Sequence, residues 1–348
     1  MAGIEIGGHK VGPGHPCFLI AEAGVNHNGD LDLGRELIRA AAGAGADAVK
    51  FQTFSADRLV TASAPKAAYQ MERTDPAETQ HGMLKHLELG AAEHRELMNE
   101  CDRNGILFLS SAFDEESADL LDELGVVAYK IPSGEITNLP YLRHLASKGR
   151  CLIVSTGMSD LDEVKTCVEV ISETAEVPIV LLHCVSLYPA PAAGSNLRAM
   201  DTMRAAFGFP VGFSDHTEGI AIALAAVAMG ADMIEKHLTT DRTLPGPDHA
   251  ASLEPAELGA LIAGIRAVES ARGDGVKRPL PAEAATAAVA RKSIVATIDI
   301  RKDMVIRQEM LTLKRPGTGL PPSEMAKLVG RKARVAIQAG TVITSEMV

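Results

Sequence analysis

Short apolar runs recur along the chain, each followed by a stretch with helical spacing. They are CFLIAEAG (17–24), AVKFQTF (48–54), ILFLSSAF (106–113), VAYKIPSG (127–134), CLIVSTG (151–157), IVLLHCVSLY (179–188), VGFSDHT (211–217) and MIEKHLT (233–239). The runs are near-continuous rather than alternating, which predicts parallel strands covered on both faces. Between them lie amphipathic, Ala/Leu/Glu-rich segments such as LDLGRELIRAAAGAGA (31–46) and SDLDEVKTCVEVISE (159–173), the second with Ser159 as candidate N-cap. EGIAIALAAVAMGA (218–231) is expected as a buried helix between the last two strands. Eight β–α units over residues 1–272 predict an α/β fold, a (β/α)8 TIM barrel. A doubly wound sheet is the alternative, but no GxGxxG turn follows the first strand.

The pattern changes after Glu269. GDGVKRPLPAEAATAAVARK mixes Gly, Pro and Ala, and residues 273–291 read as a linker. Beyond it the apolar runs are short: SIVATIDI (293–300), MLTL (310–313) and RVAI (334–337). IRKDMVIRQEM (300–310) and IQAGTVITSEM (337–347) share the pattern I-x-x-x-x-V-I-x-x-E-M at an offset of 37 residues. This predicts a small pseudo-symmetric β-rich module over 292–348, whose core is marginal alone.

Composition narrows the function classes. Lys+Arg 34 against Asp+Glu 45 gives a net charge of −11, which argues against a nucleic-acid surface but not against a locally basic pocket. The 46% hydrophobic content is too high for disorder. Trp is absent and aromatics make up 3%, so an aromatic cage is poorly supplied. The longest apolar stretch, near 220–231, is too short to span a bilayer, and MAGIEIGGHKVG lacks the layout of a signal peptide. Five cysteines without CxxC spacing read as reduced, buried thiols in a cytoplasmic protein, with neither disulfide nor metal on them.

In a barrel of this kind the chemistry gathers at the C-terminal ends of the strands, and there each apolar run closes on polar residues. Glu22 ends the first, before Asn26, His27 and Asn28; Lys50 and Gln52 end the second; Ser110 and Ser111 sit in the third. Lys130, Ser133 and Glu135 end the fourth, Ser155 and Thr156 the fifth, His183, Ser186 and Tyr188 the sixth. Ser214, Asp215 and His216 end the seventh, and Glu235, Lys236 and His237 the eighth. Such groups at the same end of every strand imply a lined pocket. Lysine is almost never buried without a partner. Lys50 and Lys130 are thus read in three ways: salt-bridged to Glu22 or Glu135, paired with Ser111, Ser133, Ser155 and Ser214 as a site for phosphate and carboxylate, or Schiff-base lysines. A single histidine in an apolar run is usually a satisfied core residue. His216 and His237 at adjacent strand ends, with Asp215, Glu235 and Asp248 nearby, are instead candidates for a divalent metal with open positions. His183 ranks below them. Glu22 and Glu135 are candidate acid or base groups, or partners of the lysines.

Ten motifs carry a resemblance. IAEAGVNHNGD (20–30), AVKFQTF (48–54), APKAAYQ (64–70), FDEES (113–117), KIPSGEITNLPYL (130–142), STGM (155–158), GFSDHTEGIAIA (212–223), EKHLTTDRTLPGPDHAASLEP (235–255), ARKSIVA (290–296) and KRPGTGL (314–320) together resemble the sialic acid synthases. That family includes the N-acetylneuraminate, legionaminate and spore-coat-polysaccharide synthases, and the resemblance runs through nearly the whole chain. It implies a TIM barrel followed by an antifreeze-like (SAF, β-clip) domain. It also implies condensation of phosphoenolpyruvate with an open-chain N-acylhexosamine, such as N-acetylmannosamine, to a nine-carbon 2-keto-3-deoxy acid and phosphate.

Position by position, the resemblance gives phosphoenolpyruvate to Lys50, Ser111, Lys130, Ser133, Ser155 and Ser214. It gives a divalent metal, manganese first and otherwise magnesium or cobalt, to His216 and His237. The aldose falls to Glu22, Gln52, Tyr188 and Asp248, and the acid/base role to Glu135. Arg315 would reach into the partner subunit's barrel in a domain-swapped homodimer and contact the N-acyl group. Three positions depart from the pattern: Ser111 stands where many members have Thr, Ala112 where Pro is common, and Ser186 where some have Asn. The contact that Ser186 makes to phosphoenolpyruvate or the sugar thus falls to a shorter side chain. The stretch 64–89 looks like the group holding neuraminate and legionaminate synthases, without choosing between them; a 2,4-diacetamido hexose is the alternative acceptor. Competing readings are a related barrel that uses a phosphorylated sugar, a Schiff-base lyase, and a catalytically silent sugar-binding scaffold.

Overall fold

The structure, a computed structural model, describes residues 3–67, 70–71, 74–75 and 77–348. Residues 68 and 69 of the 64–70 motif, and 72, 73 and 76 of the 64–89 stretch, lie outside the described residues. The chain divides into two units, Met1–Gly273 and Asp274–Val348.

In the first unit a hairpin of β1 (Ile4–Ile6) and β2 (His9–Val11), which the sequence pattern did not predict, precedes the barrel. Each of the eight apolar runs then forms a strand: β3 (Phe18–Gly24), β4 (Ala48–Thr53), β5 (Leu107–Ala112), β6 (Ala128–Ile131), β7 (Cys151–Ser155), β8 (Ile179–Cys184), β9 (Val211–Asp215) and β10 (Met233–His237). They close as a parallel barrel in chain order, with β10 beside β3. Side chains alternate between the barrel interior and the helical layer. Phe18, Ile20, Ala48, Leu109, Ile153 and Leu182 fill the lower interior, and Ile6 and Val11 of the hairpin pack among them. Gly212 is needed where β9 meets β10, because a Cβ there would lie 2.4 Å from the Met233 carbonyl oxygen.

Local signals set the surrounding helices. Helix α1 (Leu31–Ala44) starts at Asp30, whose carboxylate accepts from Asp32 N at 2.8 Å, and ends at left-handed Gly45. The β4–β5 connection carries α2 (Ala56–Leu59), α3 (Gln80–Leu87) and α4 (Ala91–Asn104). Then follow α5 (Glu115–Leu124), α6 (Leu139–Ser147), α7 (Leu161–Thr174), α8 (Ala199–Phe207), α9 (Ala221–Ala228) and α10 (Pro255–Arg272). The cap of α7 is Asp160 rather than Ser159. Its carboxylate accepts from Glu163 N at 2.9 Å while Glu163 accepts from Asp160 N at 3.0 Å, a reciprocal pair that Ser159 is out of phase to make. Helix α9 is not buried all round: Ala223, Ala226 and Val227 are covered, but Ala221 and Ala228 are exposed. Its uniform apolarity hid which face packs. No helix among the described residues is long and apolar enough to cross a membrane.

In the second unit the stretch read as a linker contains α11 (Glu283–Ala290), an Ala-rich helix. Strand β11 (Ser293–Ala296) pairs antiparallel with β12 (Leu311–Lys314), and a short helix α12 (Met325–Leu328) follows. The sequence repeat is a structural one. Ile300 and Ile337 exchange two 2.8 Å backbone hydrogen bonds, pairing the first residue of one copy with the first of the other. Ala296 N donates to Thr341 O, and Ala333 N to Met304 O, the same bond shifted by the repeat offset. Ile294, Ile300, Ile306, Ile337 and Ile343 form the core of this unit.

Candidate active site

A cavity of about 480 Å³ opens at the C-terminal ends of the barrel strands. Its floor is one inward-facing residue from each strand, the layer above the lower interior: Glu22, Lys50, Ser111, Lys130, Ser155, Cys184, Ser214 and Glu235. Glu235 stands at the centre. Lys130 Nζ lies 3.2 Å from its Oε1, Ser214 Oγ donates to the same oxygen at 2.9 Å, and Lys50 Nζ is 3.7 Å from Oε2. Lys50 also meets Glu22 Oε2 at 2.7 Å and donates to Ser111 Oγ at 2.8 Å. Gln52 Nε2 donates to Glu22 Oε1 at 3.4 Å.

Lys50 therefore has the Glu22 partner that the salt-bridge reading proposed. The carboxylate of Lys130 is Glu235, not Glu135. Alternation along β10 is the signal for Glu235: with His237 facing inward, the residue two back must share that face. The same parity sends other polar residues to the helical layer. Lys236 pairs with Asp215 at 2.9 Å there, and His183 Nε2 donates to Ser195 O at 2.7 Å, so none of these three lines the cavity.

The charges on the floor are unequal. Burial pushes Glu235 up, but Lys130 and Lys50 outweigh it and hold the carboxyl at about 2. Burial, aided by the Glu235 charge, raises Glu22 to about 7 against the pull of Lys50. Burial alone raises Asp248 to about 6, again against Lys50. Burial lowers Lys130, with the Lys50 charge adding to it, whereas the carboxylates keep Lys50 above its ordinary value despite burial. The floor thus sets Lys50 and Lys130 against two carboxyls, of which Glu235 is held ionised and Glu22 is shifted toward its neutral form.

His216 and His237 line one side, with ring centroids 5.5 Å apart. Tyr188 packs on both, at 4.2 and 5.7 Å. His216 Nδ1 lies 2.7 Å from the Val185 carbonyl oxygen and so carries the hydrogen, which leaves Nε2 as a lone pair. Burial holds both imidazoles below their ordinary value, His237 well below, so both are neutral at pH 7. His237 Nδ1 is buried without a hydrogen-bond partner, and Asp248 Oδ2 is 3.9 Å from it. Among the described residues no group of three or more His, Cys, Asp or Glu is arranged to hold a metal ion. The donors here are two neutral imidazoles.

Ser133, Cys184 and Ser186 crowd Gly157. Gly157 N donates to Ser133 Oγ at 3.0 Å, and a Cβ at Gly157 would fall 2.3 Å from Ser186 Oγ. Ser155 Oγ is buried without a partner. Glu135 lines the cavity half-buried and accepts from Asn138 Nδ2 at 2.8 Å. The barrel thus brings together Glu22, Lys50, Gln52, Ser111, Lys130, Ser133, Glu135, Ser155, Ser186, Tyr188, Ser214, His216, His237 and Asp248. Arg315 belongs to the second unit and is exposed.

The profile of the NeuB family matches residues 37–277, and that of the SAF domain residues 291–348. The chain is 49% identical over 334 residues to the N,N'-diacetyllegionaminic acid synthase of Legionella pneumophila, covering 95% of this chain and 94% of that protein. It is 47% identical over 318 residues to the enzyme of the same name from Campylobacter jejuni, covering 91% and 95%. The crystal structure of the N-acetylneuraminic acid (sialic acid) synthetase of Leptospira borgpetersenii in complex with citrate is 37% identical. It superposes with a TM-score of 0.72 over 82% of this chain and 94% of that one. By sequence, by fold and by its closed eight-stranded barrel followed by a SAF domain, the chain belongs to the NeuB family.

Proposed function

We propose that this chain is a metal-dependent nonulosonate synthase. It condenses phosphoenolpyruvate with an open-chain N-acylhexosamine, giving a nine-carbon 2-keto-3-deoxy acid and phosphate. The observation that carries the reading is the floor of the cavity, where the buried amino groups of Lys50 and Lys130 lie 3.7 and 3.2 Å from one carboxylate, Glu235, beside the Ser111 and Ser214 hydroxyls. Phosphoenolpyruvate brings about three negative charges, and Lys50 and Lys130 answer its carboxylate and phosphate. Ser111, Ser133, Ser155, Ser186 and Ser214 supply hydroxyls, and Ser155 has hydrogen-bonding capacity to spare. The names of the relatives support the reaction class.

His216 and His237 fit a divalent cation. Both are neutral, one nitrogen on each is unbonded, and two ligands leave positions for substrate. Manganese, or magnesium or cobalt, held there supplies electrophilic polarisation of the acceptor's aldehyde oxygen. The chain's own groups do the rest. The lysines fix phosphoenolpyruvate so that its C3 meets the aldehyde carbon, while Gln52, Tyr188 and Asp248 hold the sugar. Glu22 carries the proton that the new hydroxyl takes up. Glu135 takes a proton from the water that adds at C2. The C2–O bond then breaks, phosphate departs with the bridging oxygen, and C2 becomes the ketone. The two protons of the water end on the hydroxyl and on phosphate, so the equation balances. Arg315 contacts the acceptor's N-acyl group from the partner subunit of a homodimer.

The test is phosphate release. Phosphate is expected only with phosphoenolpyruvate and an N-acylhexosamine together, and EDTA should abolish it until a divalent metal is restored. Turnover indifferent to EDTA removes the metal from the reading, and borohydride trapping of pyruvate on a lysine replaces it with a lyase.

A further inference from the structure

Two buried charges lie behind the histidines, on the side of the strands that faces the helices. Lys236 and Asp215 stand opposite one another where β10 pairs with β9, and that register ends with them. Their side chains are 1% and 0% exposed, and Lys236 Nζ meets Asp215 Oδ2 at 2.9 Å. Neither lines the cavity. A buried ion pair is poor evidence for stability, because apolar residues of similar size often do as well. What this pair does that they would not is bind backbone. Asp215 Oδ1 accepts from Thr217 N at 2.9 Å, and Lys236 Nζ donates to Thr217 O at 2.5 Å. The Thr217 hydroxyl takes no part, being buried without a hydrogen-bond partner.

The residue bracketed in this way is His216, and the two histidines are not held alike. His237 is the last residue of β10. It pairs with Glu22 of β3, and its carbonyl oxygen accepts from Leu253 N at 2.8 Å, so the barrel ladder fixes it. His216 lies one residue beyond β9, past the last ladder pair. Its Nδ1 is tied to Val185 O and its carbonyl oxygen to Ala190 N, both in the segment after β8. Its tie to β10, the strand that carries His237, is the Thr217 backbone gripped by Asp215 and Lys236. Two imidazoles hold one cation only if both unbonded nitrogens reach it together, and groups behind metal ligands set affinity by aiming them. Resting on the metal-dependent reading above, we infer that Lys236 and Asp215 are positioning residues for the metal. Through Thr217 they fix His216 at the reach that His237 requires, without touching ion or substrate.

The experiment measures Mn2+ Kd without substrates, from the electron paramagnetic resonance signal of free Mn2+, and phosphoenolpyruvate Kd without metal, by isothermal titration. The full chain is compared with two double variants that strand no charge. Asp215→Leu/Lys236→Met removes both bonds to Thr217, whereas Asp215→Asn/Lys236→Gln keeps groups that can make them. The apolar double should raise Mn2+ Kd roughly 10–100-fold, the usual effect of losing a partner behind a ligand. Its phosphoenolpyruvate Kd should be unchanged, and the amide double should recover most of the lost Mn2+ affinity. An apolar double that keeps native Mn2+ affinity, one that loses phosphoenolpyruvate affinity in step, or an amide double no better than the apolar one overturns the inference while leaving the metal reading intact. His216→Ala separates the two. If Mn2+ binding survives that substitution undiminished, or the unaltered chain binds no Mn2+, the metal reading falls and the inference falls with it.

Discussion

Replacing Lys130 with Met separates its two jobs. In the structure its ammonium group stands 3.2 Å from Glu235 Oε1, with both side chains almost wholly buried. At an effective dielectric of about 20, that pair attracts by roughly 5 kcal/mol before desolvation is counted. Removing one partner of a buried pair costs about 3–5 kcal/mol, because the other charge is stranded. Glu235 keeps Lys50 at 3.7 Å and Ser214 at 2.9 Å, which places the cost near the lower end, about 3 kcal/mol. For a unit of this size Lys130→Met should lower Tm by on the order of 10 °C. The double variant Lys130→Met/Glu235→Gln strands no charge, so most of that Tm should return. Phosphoenolpyruvate affinity should not return, because both variants lack an ammonium group on the floor. Isothermal titration without acceptor should show Kd raised roughly a hundredfold or more in each. If the double variant regains affinity together with Tm, Lys130 serves only to neutralise Glu235, and the anion-site reasoning is wrong.

Further outcomes follow from the same geometry. Gly157→Ala would place a methyl 2.3 Å from Ser186 Oγ and 2.8 Å from Ser133 Oγ, so kcat/KM for phosphoenolpyruvate should fall about tenfold or more while far-UV circular dichroism is kept. An undiminished kcat/KM would mean that these hydroxyls are not held for substrate. Burial pushes the thiols of Cys151 and Cys167 up to about 12, and raises Cys17 and Cys101 further, so these four should resist iodoacetamide at pH 8. Cys184 alone of the five lines the cavity, and peptide mapping should find it alkylated first and protected by phosphoenolpyruvate. Labelling indifferent to phosphoenolpyruvate would place the ligand elsewhere. Arg315→Ala should raise KM for the acceptor and leave that for phosphoenolpyruvate unchanged. Unaltered acceptor kinetics would remove Arg315 from the site.

Much of this architecture is visible in the chain because a parallel barrel has a simple code. Strands covered on both sides need unbroken apolar runs, and eight such runs match the eight strands to within a few residues. Parity along β10 puts Glu235, two residues from His237, on the inward face as the partner of Lys130, while Lys236 between them faces away. Helix α9 gave no phase because every position in it is apolar. The hairpin of β1 and β2 is too short to show a period, yet Ile6 and Val11 close the bottom of the barrel. In the second unit, Ile300 and Ile337 stand out in sequence because each is the partner of the other. That Leu59, Leu84 and Phe113 line the same cavity could not be read from the chain. They come from separate segments, and only the fold brings them together.

The measurement that bears most directly on the account is a crystal structure with phosphoenolpyruvate bound. The account predicts its carboxylate and phosphate within hydrogen-bond distance of Lys50 Nζ and Lys130 Nζ, with C3 turned toward the side where His216 and His237 converge. Phosphoenolpyruvate found away from the strand ends, with both ammonium groups still given over entirely to Glu22 and Glu235, would contradict it.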